Sequence, residues 1–268
     1  FIESLFGYFS MIRETVRFAY KTLLPPRIKM SVDIFKHLRM ERVEGLDEKN
    51  VLVLSPHPDD DIIGCGGTLQ NYRGRGAEIA SVYMTDGRKG NPRYGEEELV
   101  SIRRQEAKTA ADIIGIQKLI FFDTRDGELS VTSKIVAELS KVLKEMQPEA
   151  VFLPFLMDDH PDHATATQIF LAAIKFLPPV MCYTWGIWTP LPCFNVAVDI
   201  TASADLKRSA LAAHKSQTET VDLIGGVFSL SRYHAVVSGI KDKREVGWAE
   251  VYLACSSKEY QRLATSVG

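Results

Sequence analysis

The chain has 268 residues, 46% hydrophobic and 25% charged, with a formal net charge of -2. That length suffices for one large domain with a substantial core. The balanced charge carries no polybasic signature, which sets nucleic-acid binding aside. The four cysteines, Cys65, Cys182, Cys193 and Cys255, form no C-x-x-C pair. Neither a disulfide framework nor a zinc knuckle follows, and a reducing, cytoplasmic setting is expected.

Within residues 1–24, Ile2, Leu5, Phe9, Ile12, Val16 and Leu23 recur at three/four spacing with charges between them, which predicts an amphipathic helix. Charges interrupt it too early for a membrane span, and it lacks the pattern of a signal peptide. Its apolar face is expected to pack on the domain, on a second copy in a homo-oligomer, or in a membrane interface as a peripheral contact. Pro25-Pro26 ends it, and residues 27–50 read as a linker or short helix. The expected division is therefore 1–50, helix and linker, and 51–268, the main domain.

Val51-Leu52-Val53-Leu54 is a short apolar run that suits a central parallel strand covered on both faces. It runs into Ser55-Pro56-His57-Pro58-Asp59-Asp60-Asp61, where adjacent carboxylates repel one another unless a cation sits among them. The plainer reading is a polar turn with Asp61 capping the next helix. Residues 63–73 read as that helix, 78–84 as a strand, 85–98 as a polar loop, and 99–115 as a helix stopped by Gly115. A strand over 118–122 and a helix over 131–147 follow.

Val151-Phe152-Leu153-Pro154-Phe155 then repeats the first pattern, running into Asp158-Asp159-His160-Pro161-Asp162-His163 and a helix over 164–176. Strands over 180–185 and 195–200, a helix over 206–214 and a strand over 248–255 complete the chain. This alternation predicts an α/β fold, a Rossmann-like, mostly parallel sheet with helices on both faces. In such a sheet the loops after the strands share one edge, so two distant loops can face each other. Gly64-Cys65-Gly66-Gly67 lacks the G-x-G-x-x-G spacing, and the acidic loop would repel a pyrophosphate there, so close helix packing explains the glycines.

Imidazole and carboxylate ligands without thiolate suit zinc in an open catalytic site. Magnesium and calcium prefer all-oxygen shells, whereas Fe²⁺ in a two-His-one-carboxylate site is the alternative. Water on such an ion loses its proton near neutral pH, and one of two adjacent carboxylates can take that proton while the other binds metal.

His57-Pro58-Asp59-Asp60, Gly64-Cys65-Gly66-Gly67, Thr85-Asp86-Gly87, Arg103-x-x-Glu106-Ala107 and His160-Pro161-Asp162-His163, in that order, resemble the PIG-L/LmbE-like de-N-acetylase family. The resemblance is strong over residues 50–176 and weaker through His214-Lys215-Ser216-Gln217. It implies a zinc-dependent hydrolase that removes the N-acetyl group from an N-acetylglucosamine-containing substrate, a small conjugate or a lipid-linked glycan. By that resemblance His57, Asp60 and His163 ligate the metal, and Asp59 is the general base. His160 stabilises the oxyanion or protonates the leaving amine, Asp162 orients a motif histidine, and Arg103 lies near the substrate; a surface pair with Glu106 is its plainer role. Asp61 departs from the family's glutamate, and Arg88 stands where relatives carry an acid. Trp185, Trp188 and Phe194 are candidates for stacking on a sugar. The competing readings are ester or phosphoester hydrolysis, a non-catalytic sugar-binding module and a nucleotide-binding domain.

Overall fold

The structure is a computed structural model that describes residues 40–242 and 245–267. The helix expected over 1–24 therefore lies outside the described residues. The described residues divide into two compact units, Met40–Lys258 and a second that includes residues 259–267.

Val51, Leu52, Val53 and Leu54 are each 0% exposed, and burial of such side chains contributes roughly 1.5–3 kcal/mol apiece. They form the middle of β2 (Asn50–Ser55), an interior strand of an eight-stranded sheet, flanked by β5 and β3. The other strands are β1 (Glu41–Val43), β3 (Glu78–Thr85), β4 (Lys118–Thr124), β5 (Ala150–Pro154), β6 (Met181–Trp185), β7 (Val196–Asp199) and β10 (Ala249–Ser256). They run in the order β1-β7-β10-β6-β5-β2-β3-β4. Pairing is parallel except where β10 lies antiparallel between β6 and β7. Two short strands, β8 (Lys241–Asp242) and β9 (Glu245–Val246), pair separately.

The strand order positions the site. From β2 the chain moves outward through β3 to β4, then crosses back so that β5 pairs with the other side of β2, with Val51 opposite Ala150 and Val53 opposite Phe152. The β2–β5 border is thus a point where the winding reverses, and loops there open a crevice at the carboxyl ends of the strands.

Helices cover both faces. α1 (Asp60–Gly74), α2 (Glu96–Ile114) and α5 (Ala204–Ala213) pack together on one side, and α3 (Ser133–Met146) with α4 (Pro161–Ile174) on the other. Gly115 ends α2 in the left-handed conformation (φ 90°), as its sequence position predicts. Cβ atoms at Gly64 and Gly67 would fall 2.7 Å from Trp185 and Ile200, so these glycines let α1 sit close to the sheet. Glu250 of β10 then fastens α1: its carboxylate accepts from Gly67 N (2.9 Å), Thr68 N (2.8 Å) and Lys207 Nζ (2.6 Å).

Several elements depart from the sequence reading. β1 forms within the expected linker. The 85–98 loop is shorter than expected because β3 extends through Thr85 and α2 starts at Glu96. After α5 come a one-turn α6 (Lys215–Thr218) and the long α7 (Leu223–Ser238), neither of which the hydrophobic pattern announced. α8 (Ser257–Val267) closes the chain. Among the described residues, no helix is long and apolar enough to cross a membrane.

Candidate active site

The loop after β2 and the loop after β5 meet. Pro58 precedes the N-terminus of α1, so Asp60 and Asp61 occupy its first turn, where the helix dipole favours carboxylates. In the second loop Pro161 opens α4, a position that needs no backbone N–H donor, and His160 caps the helix through Nδ1, which accepts from Asp162 N at 3.2 Å. His163, in the first turn of α4, is 0% exposed.

Three donor atoms converge between the loops. Asp60 Oδ2 lies 3.2 Å from His57 Nδ1 and 3.3 Å from His163 Nε2. Ligands of a tetrahedral ion bound at about 2.0–2.1 Å are separated by roughly 3.3–3.4 Å, so these spacings match edges of such a shell. Among the described residues His57, Asp60 and His163 form one of two groups able to hold a metal; the other is His57, His160 and Asp162. His163 Nε2 is buried without a hydrogen-bond partner, an arrangement a cation would satisfy.

The electrostatics agree. Burial alone would lower the pKa of His57, yet Asp126, Asp162 and Asp60 hold it well above the ordinary imidazole value. Against the same effect of burial, Asp60 and Asp158 push His163 up to about 9. Asp60 is held below the carboxylate range: burial raises it, but His163 and His57 outweigh that. The carboxylates demand positive charge between the loops, supplied by protons on the imidazoles or by a metal ion.

Around this centre each of the two imidazoles, His57 and His163, faces a further carboxylate. His57 Nε2 faces Asp162 Oδ2 at 3.3 Å and Asp126 Oδ1 at 3.4 Å. His163 Nδ1 faces Asp158 Oδ1 at 3.5 Å. Asp162 Oδ2 also accepts from Gly127 N at 2.9 Å. Such contacts fix the tautomer and aim of a metal-binding imidazole. Asp126 and Asp158 carried no assigned role in the sequence. Asp126 follows β4 on the same sheet edge as the two loops, which is the signal that could have found it.

Asp59 stands beside the donor triad, and burial raises its pKa while Arg103 opposes that rise. Arg103 Nη2 lies 2.9 Å from Asp59 Oδ1, and Nη1 donates to Gly87 O at 3.1 Å. The surface pair between Arg103 and Glu106 does not form: Arg103 is buried, and Glu106 instead accepts from Ser216 N and Oγ (2.7 and 2.6 Å). Asp61 does not cap α1 either. Its carboxylate accepts from Ser81 and Tyr83 hydroxyls and from Ile62 N, and burial pushes its pKa up to about 6. Arg88 donates to Asp86 and reaches Glu96 and Glu97. With Nδ1 of His160 accepting, its Nε2 carries the proton when the ring is neutral, and burial lowers this histidine's pKa.

A cavity of about 930 Å³ opens over the centre and is lined by His57, Asp59, Asp60, Arg103, His160 and Asp162, among others. Trp188, 63% exposed, stands at its rim 6.0 Å from the His160 ring. Trp185 is core, edge-on to His163, and Phe194 packs on His234.

The family model described as PIG-L, GlcNAc-PI de-N-acetylase, matches residues 52–174, a span that contains both loops. Diacetylchitobiose deacetylase of Thermococcus kodakarensis is 31% identical over 191 residues, covering 64% of this chain and 71% of the relative. A probable N-acetyl-alpha-D-glucosaminyl L-malate deacetylase 2 of Bacillus cereus is 26% identical, covering 76% and 96%. Among solved structures, N,N'-diacetylchitobiose deacetylase from Pyrococcus horikoshii superposes with a TM-score of 0.69 at 27% identity, covering 80% of this chain and 86% of that one. The fold, the convergent His/Asp loops and these relatives together identify the chain as a member of the PIG-L (GlcNAc-PI de-N-acetylase) family, metal-dependent hydrolases of the deacetylase kind.

Proposed function

We propose that the protein is a zinc-dependent N-deacetylase that hydrolyses the acetamide of an N-acetylglucosamine-containing substrate. The observation that carries this reading is the convergence of His57 Nδ1, Asp60 Oδ2 and His163 Nε2, with Asp59 and His160 on the same cavity wall. A zinc ion held by these three residues would supply Lewis acidity to the amide carbonyl and to water. The histidine-rich donor set favours zinc over magnesium or calcium, with Fe²⁺ as the alternative.

The chain's own residues divide the remaining work. Asp59, whose charged form the Arg103 guanidinium favours, takes the proton from the attacking water. His160 presents Nε2–H to the developing oxyanion, and in its protonated form it delivers a proton to the leaving amine. Asp162 and Asp126 hold His57, and Asp158 holds His163, against rotation. Arg103 lines the cavity, but its guanidinium serves Asp59 first and any substrate second. The buried free thiols Cys65 and Cys182 support a reducing, cytoplasmic setting. The test is acetate release from a panel of N-acetylglucosamine conjugates, with and without chelator. Chelator-sensitive release is expected, whereas phosphoester cleavage without acetate release would favour the competing hydrolase reading.

A further inference from the structure

The cavity has two chemically different halves. Beside the catalytic loops it is polar. Beyond Ile63 it becomes a groove: Leu223, Val227 and Leu230 of α7, spaced four and three apart along one helix face, look across to Ile63 of α1 and Val251 of β10. Ile63, Leu223, Val227 and Leu230 are only partly buried by protein. Ile63 and Val227 also touch the core, and all four present part of their hydrocarbon to the cavity. Burying such surface is worth roughly 25 cal/mol per Å² to whatever fills the groove.

The far end of the groove offers little to a second sugar. Lys207 Nζ is spent on Glu250 Oε1 (2.6 Å) and Ile63 O (2.8 Å), and Ser231 Oγ donates to Ala249 O at 2.7 Å. His234, another polar group of the lining, has its ring 5.8 Å from Phe194, while Thr220 and Asp222 lie at the opposite, N-terminal end of α7. Burial and Lys207 lower the His234 pKa to about 4, so this imidazole is uncharged near neutrality. Gly226 lines the α7 wall, and a Cβ there would meet no atom within 4 Å. A cavity of about 930 Å³, near the top of the usual range of roughly 300–1,000 Å³, is more than one monosaccharide fills.

We propose that the substrate is an N-acetylamino sugar with an apolar aglycone, an alkyl chain or similar hydrocarbon, which lies between α1 and α7 while the acetamide sits between the two loops. This rests on the deacetylase reading above. The chain is placed on the aglycone because the relatives are described as deacetylases, so the group on nitrogen is short.

Acetate release from methyl, butyl and octyl glycosides of N-acetylglucosamine, each below its micellar concentration, tests this. The value of kcat/KM is expected to rise on the order of tenfold or more from methyl to octyl, as methylene groups leave water. Gly226→Leu, which fills open space on a helix without strained backbone, should bring the octyl-to-methyl ratio down towards one; Leu230→Asp is the second variant. A flat or falling series in the unaltered protein, with acetate released throughout, overturns this inference alone. So does a rate that climbs with N-acyl length, N-octanoyl- over N-acetylglucosamine, while the glycoside series stays flat. No acetate from any member, the methyl glycoside included, overturns the deacetylase reading and this inference with it.

Discussion

Replacing Arg103 with methionine tests whether the buried guanidinium is what keeps Asp59 competent as a base. The pair is short, 2.9 Å between Nη2 and Oδ1, and its side chains are 3% and 10% exposed. Charge centres about 4 Å apart interact by about 4 kcal/mol at an effective dielectric of 20. Breaking a buried pair by removing one partner costs a comparable 3–5 kcal/mol or so. Burial already raises the Asp59 pKa, and Arg103 opposes the rise, so its removal favours the protonated, inactive carboxyl. The acid limb of the kcat/KM–pH profile should therefore move to higher pH. At a fixed pH on that limb the rate should fall on the order of tenfold to a thousandfold, recovering as pH rises. Arg103→Lys keeps the charge but loses the fork that also holds Gly87 O, so its shift should be intermediate. The assay is acetate release across pH at constant metal content. An acid limb that does not move in Arg103→Met would refute the coupling.

Other outcomes follow from the same geometry. His160→Ala should lose on the order of 10²–10³ in kcat while keeping its metal, because it removes a donor and not a ligand; metal analysis alongside the rate separates the two. Asp59→Asn should likewise retain metal and lose most activity, and full activity would remove Asp59 from the base role. Lys207→Met strands the Glu250 carboxylate and should destabilise the fold by about 3–5 kcal/mol in urea unfolding. His214 is buried and, with Arg103 adding to the effect, titrates at about 3 in the folded chain. Unfolded, it takes a proton below about pH 6.5, so stability should fall as pH drops from 6.5 towards 3, by up to about 1.4 kcal/mol per pH unit. Neither ring nitrogen has a hydrogen-bond partner, so His214→Leu should flatten that fall; an unchanged slope in paired denaturation curves would contradict this.

The two His/Pro/Asp loops were legible because each follows an apolar strand and packs chemistry into a few consecutive residues. Their encounter was legible only as a possibility, since the pairing of β2 with β5 depends on where the chain crosses back. Asp126 escaped notice for a physical reason: a lone carboxylate in a turn looks the same whether it faces water or an imidazole; Asp158 was read within the second loop but given no role of its own. Arg103 sits at a helical position that reads equally well as a surface charge, and its partner Asp59 lies in a different loop. α7 was missed because Gly225 and Gly226 break its early periodicity, and its apolar residues divide between the core (Phe228, Ala235) and the cavity wall (Leu223, Leu230).

The proposed chemistry requires a single metal ion held jointly by the two loops. Metal content per chain, measured by elemental analysis on the dialysed protein and on His57→Ala and His163→Ala, tests this most directly. About one zinc in the unaltered chain, lost in each variant, is the expected result; a full equivalent retained when either imidazole is removed would contradict it.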